Sequence, residues 1–193
     1  MMGMFKTESM LKWLWLTVLV VALDQITKQW ASHTLQMYQP VKIIPMLNLF
    51  LAHNLGAAFS FLSDAGGWQR WLFTLIALVV STVLVLWIRK LEHHERWVAI
   101  GLACILGGAL GNVIDRIVFG HVIDFIQFYY HADTCLPGFT LLQSAQGPQC
   151  IWPSFNIADS AITIGAAILI IDAITGGRRK HQQATSKQEA GHG

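Results

Sequence analysis

Residues Trp71 to Ile88 read WLFTLIALVVSTVLVLWI and Trp97 to Ile114 read WVAIGLACILGGALGNVI, two runs of 18 residues without a charge. As helix each would be about 27 Å long, close to the thickness of a bilayer's hydrocarbon core. Both are predicted to span a membrane. The rest of the chain agrees: over 193 residues it is 54% hydrophobic and 12% charged, with a mean hydropathy of +0.48. A soluble domain would need more than 13 Lys+Arg and 11 Asp+Glu to cover its outside. Disordered, collagen-like and disulfide-scaffold readings fail on composition. The net charge of +2 sits in short basic clusters with no stripe for nucleic acid.

Two further apolar segments complete the set. Leu11 to about Ala31 is apolar from Trp13 to Leu23 and then carries Asp24 and Lys28; Ile157 to Ile174 carries Asp159 near its start and Asp172 near its end. The expected architecture is an all-α polytopic membrane protein of four transmembrane helices, about 11–31, 69–88, 97–115 and 157–175, with a small β or loop element outside the membrane. Residues 1–175 form one membrane domain, and the Gly-, Gln-, Lys- and His-rich 176–193 a disordered cytoplasmic tail. The first segment also has the length of a signal-peptide core, but no convincing small-residue cleavage site follows, so a retained helix is expected.

With both termini in the cytoplasm, the inner side holds Lys6, Lys12, Arg89, Lys90, Arg96, Arg178, Arg179, Lys180 and Lys187, nine of the 13 basic residues. Lys28, Lys42, Arg70 and Arg116 remain outside, which satisfies the positive-inside rule. Trp68, Trp71, Trp87, Trp97 and Trp152 fall at span ends, where amphipathic rings suit the headgroup layer.

Most of the candidate chemistry lies in the two outer segments. Gln36 to Leu51, with Pro40 and Pro45, suggests a short irregular strand pair, and His53 to Ser60 a turn into an interfacial helix. From Asp115 to Phe155 the chain reads as an apolar interfacial stretch around Val122 to Tyr130, then a polar loop holding Cys135 and Cys150.

Acids at a membrane edge must be paired, hydrated or functional. Asp24 and Lys28, four apart on one helix face, read as a mutual ion pair. Asp172 reads as a solvated end charge. Asp115 precedes Arg116, so an ion pair between them at the outer end of the third helix competes with a direct catalytic role. Asp124 and Asp159 have no Lys or Arg within four positions. If Asn156 caps the fourth helix, Asp159 sits in its first turn, which is also a common place for an acid with no catalytic task. Asp124, inside His121-Val122-Ile123-Asp124-Phe125-Ile126, would be desolvated. Brought together, the two could share a proton, one as base toward water and the other as acid toward a carbonyl.

These strings carry a resemblance. Gly111-Asn112-Val113-Ile114-Asp115-Arg116, Val122-Ile123-Asp124-Phe125 and Phe155-Asn156-Ile157-Ala158-Asp159-Ser160 resemble successive motifs of the lipoprotein signal peptidases, or signal peptidase II. Asp24-x-x-x-Lys28 and Asn54-x-Gly56-Ala57-Ala58-Phe59 resemble the family's two earlier motifs. The resemblance runs from about Leu11 to Ile174. It implies a bacterial inner-membrane aspartic endopeptidase, active at the periplasmic side, that cuts prolipoproteins before a cysteine carrying diacylglycerol. Asp124 and Asp159 match its catalytic pair; Asn54, Gly56, Asn112, Asp115, Arg116, Asn156 and Ala158 match substrate-binding or supporting positions; Asp24 and Lys28 stay structural. The implied partners are lipid-modified prolipoproteins and membrane lipids, without nucleic acid, cofactor or metal, and the expected state is a monomer. No HExxH or CxxC is present in support of a metal.

The stretch between Asp124 and Asp159 is longer than is usual in that family. In an oxidising outer compartment its Cys135 and Cys150 could form a disulfide. Cys104 reads as helix packing, Gly107, Gly108 and Gly111 as close helix contacts, and His53, His121 and His131 as surface or capping residues. Two other classes share some of these features. A proton-coupled transporter would place its acids at mid-bilayer and commonly shows internal repeats, and a membrane scaffold gives Asp124 and Asp159 no reason for their positions.

Overall fold

The computed structural model describes residues 9–56, 67–144 and 146–190, with 176–190 as backbone only. A short 3-10 turn, Met10–Trp13, leads into α1, Leu14–Thr34, and α2 and α3 follow as Gln69–Lys90 and Arg96–Val118. α4 starts at Ile157; its apolar part ends at Thr175 and helical backbone continues to Ala190. Arg178 to Ala190 is rich in Arg, Lys, Gln, Glu and Ala, all good helix formers, and it extends a helix that is already nucleated. Four helices are thus long and apolar enough to cross a membrane.

The central helix is α3: 61% of its apolar window is buried, against 17–22% for the others, and it packs on α1, α2 and α4. Small residues make this possible. A Cβ on Gly107 would meet Val20, one on Gly108 the carbonyl oxygen of Ala158, and one on Gly111 the Asp24 carboxylate, while Gly101 and Gly165 face each other across α3 and α4. Because Ala158 O is backbone and cannot swing away, Gly108→Ala is expected to cost about 1–3 kcal/mol through helix displacement. A thermal-stability measurement in detergent checks it; an unchanged midpoint would mean that the α3–α4 contact is loose. The outward faces carry exposed Val18, Ile26, Leu75, Val79, Val83 and Ile170, the surface a bilayer would cover. Trp68, Trp71, Trp87 and Trp97 are each half or more exposed at the helix ends, as interfacial rings are.

The connections between α1 and α2 and between α3 and α4 form a five-stranded antiparallel sheet, so the expected four helices with a small β or loop element are a helical bundle whose β element is larger than expected. Strands β1 (Val41–Ile44), β2 (Leu47–Asn54), β3 (Val122–His131), β4 (Thr140–Ser144) and β5 (Gly147–Ile151) lie in the order β1-β2-β3-β5-β4. β1 and β2 are the expected hairpin. β3 replaces the expected interfacial stretch at Val122 to Tyr130: it is a central strand, buried on both faces over Val122 to Phe125. Such strands read as continuous β-branched and aromatic runs, not as alternating patterns. Cys135 and Cys150 are bonded, tying the loop after β3 to β5. The interfacial helix expected after His53 falls largely in 57–66, outside the described residues.

The C-terminal end of α1, the start of α2, the end of α3 and the start of α4 lie on the side that carries the sheet. Arg89, Lys90 and Arg96 lie at the other end of the bundle.

Candidate active site

The α4 start is built around Asn156. Its Oδ1 accepts from the Asp159 backbone N–H at 2.9 Å, and Asp159 Oδ2 accepts from the Asn156 N–H at 3.3 Å. This reciprocal pair is a capping box, with the acid three residues into the turn. Phe155, just before it, exchanges backbone hydrogen bonds with Ile126 on β3, at 3.0 and 2.9 Å. That bridge docks the helix start beside the strand bearing Asp124.

Asp124 is 3% exposed, while Asp159 is half-buried. Fully buried Asn156 joins them: its Nδ2 donates to Asp124 Oδ1 at 2.7 Å, and its backbone N–H holds Asp159. The same amide nitrogen also lies 3.2 Å from Asn112 Oδ1 and 3.3 Å from Ile123 O. On the other side Asn54 Nδ2 donates to Asp124 Oδ2 at 3.2 Å, and its Oδ1 accepts from the Gly56 N–H at 3.0 Å. Burial, and after it the charge of Asp159, push the Asp124 carboxyl up to about 7, against the hydrogen bonds of Asn54 and Asn156 that favour the ionised form.

Asn112 connects this pair to a second cluster. Its Nδ2 donates to Asp159 Oδ1 at 2.8 Å and its Oδ1 accepts from Lys28 Nζ at 2.9 Å, which fixes the orientation of the amide. Lys28 bridges Asp24 and Asp115, at 2.8 Å to each, and all three side chains are fully buried. Gln25 Nε2 donates to Asp115 Oδ1 at 2.8 Å, Asp115 Oδ2 accepts from the Ile123 N–H at 3.1 Å, and Asp24 Oδ1 accepts from the Ala158 N–H at 2.9 Å. The expected Asp115–Arg116 ion pair is corrected: the partner of Asp115 is Lys28. Successive helical residues point about 100° apart, and Arg116 faces the other way. Its Nη2 donates to Gly56 O at 3.1 Å, its guanidinium lies over the Phe73 ring, and Asp159 and Asp124 act on its charge.

Asn54, Asn112, Arg116 and Asn156 therefore surround the two acids, with Gly56 held beside them. Asp24, Asp115 and Ala158 stand behind, bracing α1, β3 and α4 against one another. Cys135, in the loop after β3, and Cys150, on β5 opposite Tyr130, lie away from Asp124. Ala57, Ala58 and Phe59 fall outside the described residues. Sequence reasoning missed Gln25, the contacts of Lys28 with Asp115 and Asn112, and the stacking of His53 on His121. The signal for Lys28 was available: an ammonium has three N–H donors, and the i,i+4 pair uses one.

The four long apolar helices, with polar side chains gathered at one end, are similar in fold to solved membrane proteins. The chain overlays, with a TM-score of 0.70 and 30% identity over 88% of its length and 91% of the other chain, on a protein described as "Bacterial membrane enzyme structure by the in meso method at 2.3 A resolution". The sequence model of the family Peptidase_A8, "Signal peptidase (SPase) II", matches residues 16–175, and the chain belongs to that family. Relatives named lipoprotein signal peptidase include one from Pseudomonas syringae pv. tomato, 50% identical over 84% of this chain and 85% of its own. Another, from Alteromonas mediterranea, is 44% identical over 99% of this chain and 95% of its own.

Proposed function

We propose that this chain removes signal peptides from diacylglyceryl-modified lipoprotein precursors, and that Asp124 and Asp159 activate the water that cuts the peptide bond. The observation that carries the reading is Asn156, whose side chain holds Asp124 at 2.7 Å while its backbone N–H holds Asp159. Asp159, accepting two N–H donors and half open to solvent, takes a proton from water. The water oxygen adds to the carbonyl carbon before the lipid-bearing cysteine, and the proton of buried Asp124 moves to the carbonyl oxygen. As the resulting gem-diol collapses, the proton now on Asp159 passes to the cysteine nitrogen, which leaves as an amine, while one diol hydroxyl gives its proton to Asp124 as the new carboxylic acid forms, so the pair again holds one proton. Arg116 and the asparagines are the donors available to position the peptide.

A substrate anchored by diacylglycerol stays in the bilayer, which suits a pair at the helix ends and not at mid-bilayer. With both termini cytoplasmic, that end faces the periplasm of a bacterial inner membrane. The enzyme acts as a monomer, without metal or cofactor.

The pH dependence tests the proton assignment. The folded chain holds the Asp124 proton more tightly than an unfolded one, so this proton favours the fold at low pH, and its contribution is lost as pH rises through about 7. Acid catalysis goes with it. The rate of precursor cleavage is expected to fall about tenfold per pH unit above that point. A rate that stays level well into the alkaline range would remove Asp124 as the acid.

A further inference from the structure

The β2–β3 ladder ends at the site, and its two faces carry different pairs. Asn54 opposes Val122 and Ala52 opposes Asp124, which puts Asn54 and Asp124 on one face. His53 opposes Ile123, and His121 stands two residues before Ile123, so both histidines are on the other face. There the imidazoles stack, with centroids 3.7 Å apart and planes 24° from parallel. This contact closes the end of the ladder, one residue from the Asn54 that donates to Asp124.

The geometry points to the His53–His121 stack as a positioning pair for the catalytic acids: neutral and stacked it holds Asn54 against Asp124, and a charge on both rings releases it. The inference rests on the aspartate reading above. Burial holds both imidazoles below the ordinary histidine range; His53 is lowered further by His121. Opposing this on His121 are the Asp115 carboxylate of α3 and a hydrogen bond to the Phe119 backbone. Asp115 is itself engaged by Lys28 and the Ile123 N–H. From α2 the Arg70 guanidinium lies against Gly120, next to His121, and adds positive charge to that side. Among the described residues these are the charged groups facing the stack. The first proton can be accommodated beside Asp115, whereas a second puts like charges face to face.

Cleavage of a diacylglyceryl-modified precursor by the purified full chain in lipid, as a function of pH, tests the pair. His53→Ala or His121→Ala is expected to lower kcat about tenfold with little change in KM, because Asn54 loses its seat. The double His53→Phe, His121→Phe variant keeps aromatic stacking without a titrating group. It is expected to restore the neutral rate lost in the alanine variants and to carry the acid limb about one pH unit lower than wild type. Full kcat in both alanine variants would overturn the inference, as would a double phenylalanine variant with the wild-type acid limb. Either result would leave the alkaline limb of Asp124 and the effect of the dyad variants in place. Activity in Asp124→Asn would instead remove the underlying reading, whatever the histidines do.

Discussion

Asp124→Asn and Asp159→Asn are each expected to lower precursor cleavage by about 10³- to 10⁴-fold, with the protein still folded and inserted. Asparagine has the shape of aspartate but can neither take a proton from water nor deliver one. Proton transfer by a positioned group is worth up to about 10⁴-fold, and two groups acting on one bond lose that together, so the double variant is expected to be little worse than either single one. The local fold should tolerate the changes. An asparagine at position 124 keeps a carbonyl oxygen that accepts from Asn156 or Asn54, and one at position 159 keeps an oxygen for the Asn156 N–H or for Asn112. Asp124→Asn also removes a carboxyl that burial already holds protonated near neutrality, so its stability cost is the smaller of the two. Product formation from a lipid-modified precursor, with protein amount and melting point recorded beside it, measures both. Cleavage at the wild-type rate by either variant would return Asp159 to the role of an ordinary helix-capping acid.

The second large effect is on stability. Lys28→Met is expected to cost about 3–5 kcal/mol, because it strips the cation from two carboxylates, Asp24 and Asp115, that are fully buried with it. Methionine fills a similar volume, so the loss comes from charge and hydrogen bonding and not from a cavity. Asn112 loses its Lys28 donor as well, which frees its amide to rotate away from Asp159. A fall in activity beyond the fall in folded protein is therefore expected. Adding Asp24→Asn and Asp115→Asn to Lys28→Met should recover part of the stability, since the unpaired charges disappear. Thermal unfolding of the three forms in the same detergent decides it, and equal melting points for wild type and Lys28→Met would show that the cluster contributes nothing.

What could be read from the chain followed from interaction range. The spans of α2 and α3 were legible because an uncharged run of bilayer length has one stable solution. Their C-terminal ends lie two or three residues further on, at Lys90 and Val118, because helical hydrogen bonding continues past the last residue of the apolar run. Asp124 and Asp159 could be singled out because no Lys or Arg stands near them in sequence, and the Asn156–Asp159 cap is a local contact across one turn. The five-stranded sheet was not legible, since β3 is a doubly buried strand and its apolar run reads equally as a membrane-surface segment. The Lys28–Asp115 bridge joins residues 87 apart, and the Asp24 bond to Ala158 spans 134. Nothing in the local pattern of either stretch announces such a partner, and only the close approach allowed by Gly108 and Gly111 brings them together.

The central claim is that water, activated between Asp124 and Asp159, attacks the peptide bond directly. The most direct measurement is a reaction of purified enzyme with a lipid-modified precursor in water enriched in heavy oxygen, with hydroxylamine present, followed by mass spectrometry of the released signal peptide and of the enzyme. Direct attack predicts one heavy oxygen in each new signal-peptide carboxylate, no heavy oxygen in the enzyme and no hydroxamate. A signal-peptide hydroxamate, an acylated enzyme, or label transferred to Asp124 or Asp159 would show that a side chain attacks first, and would contradict the water-activating role of the two aspartates.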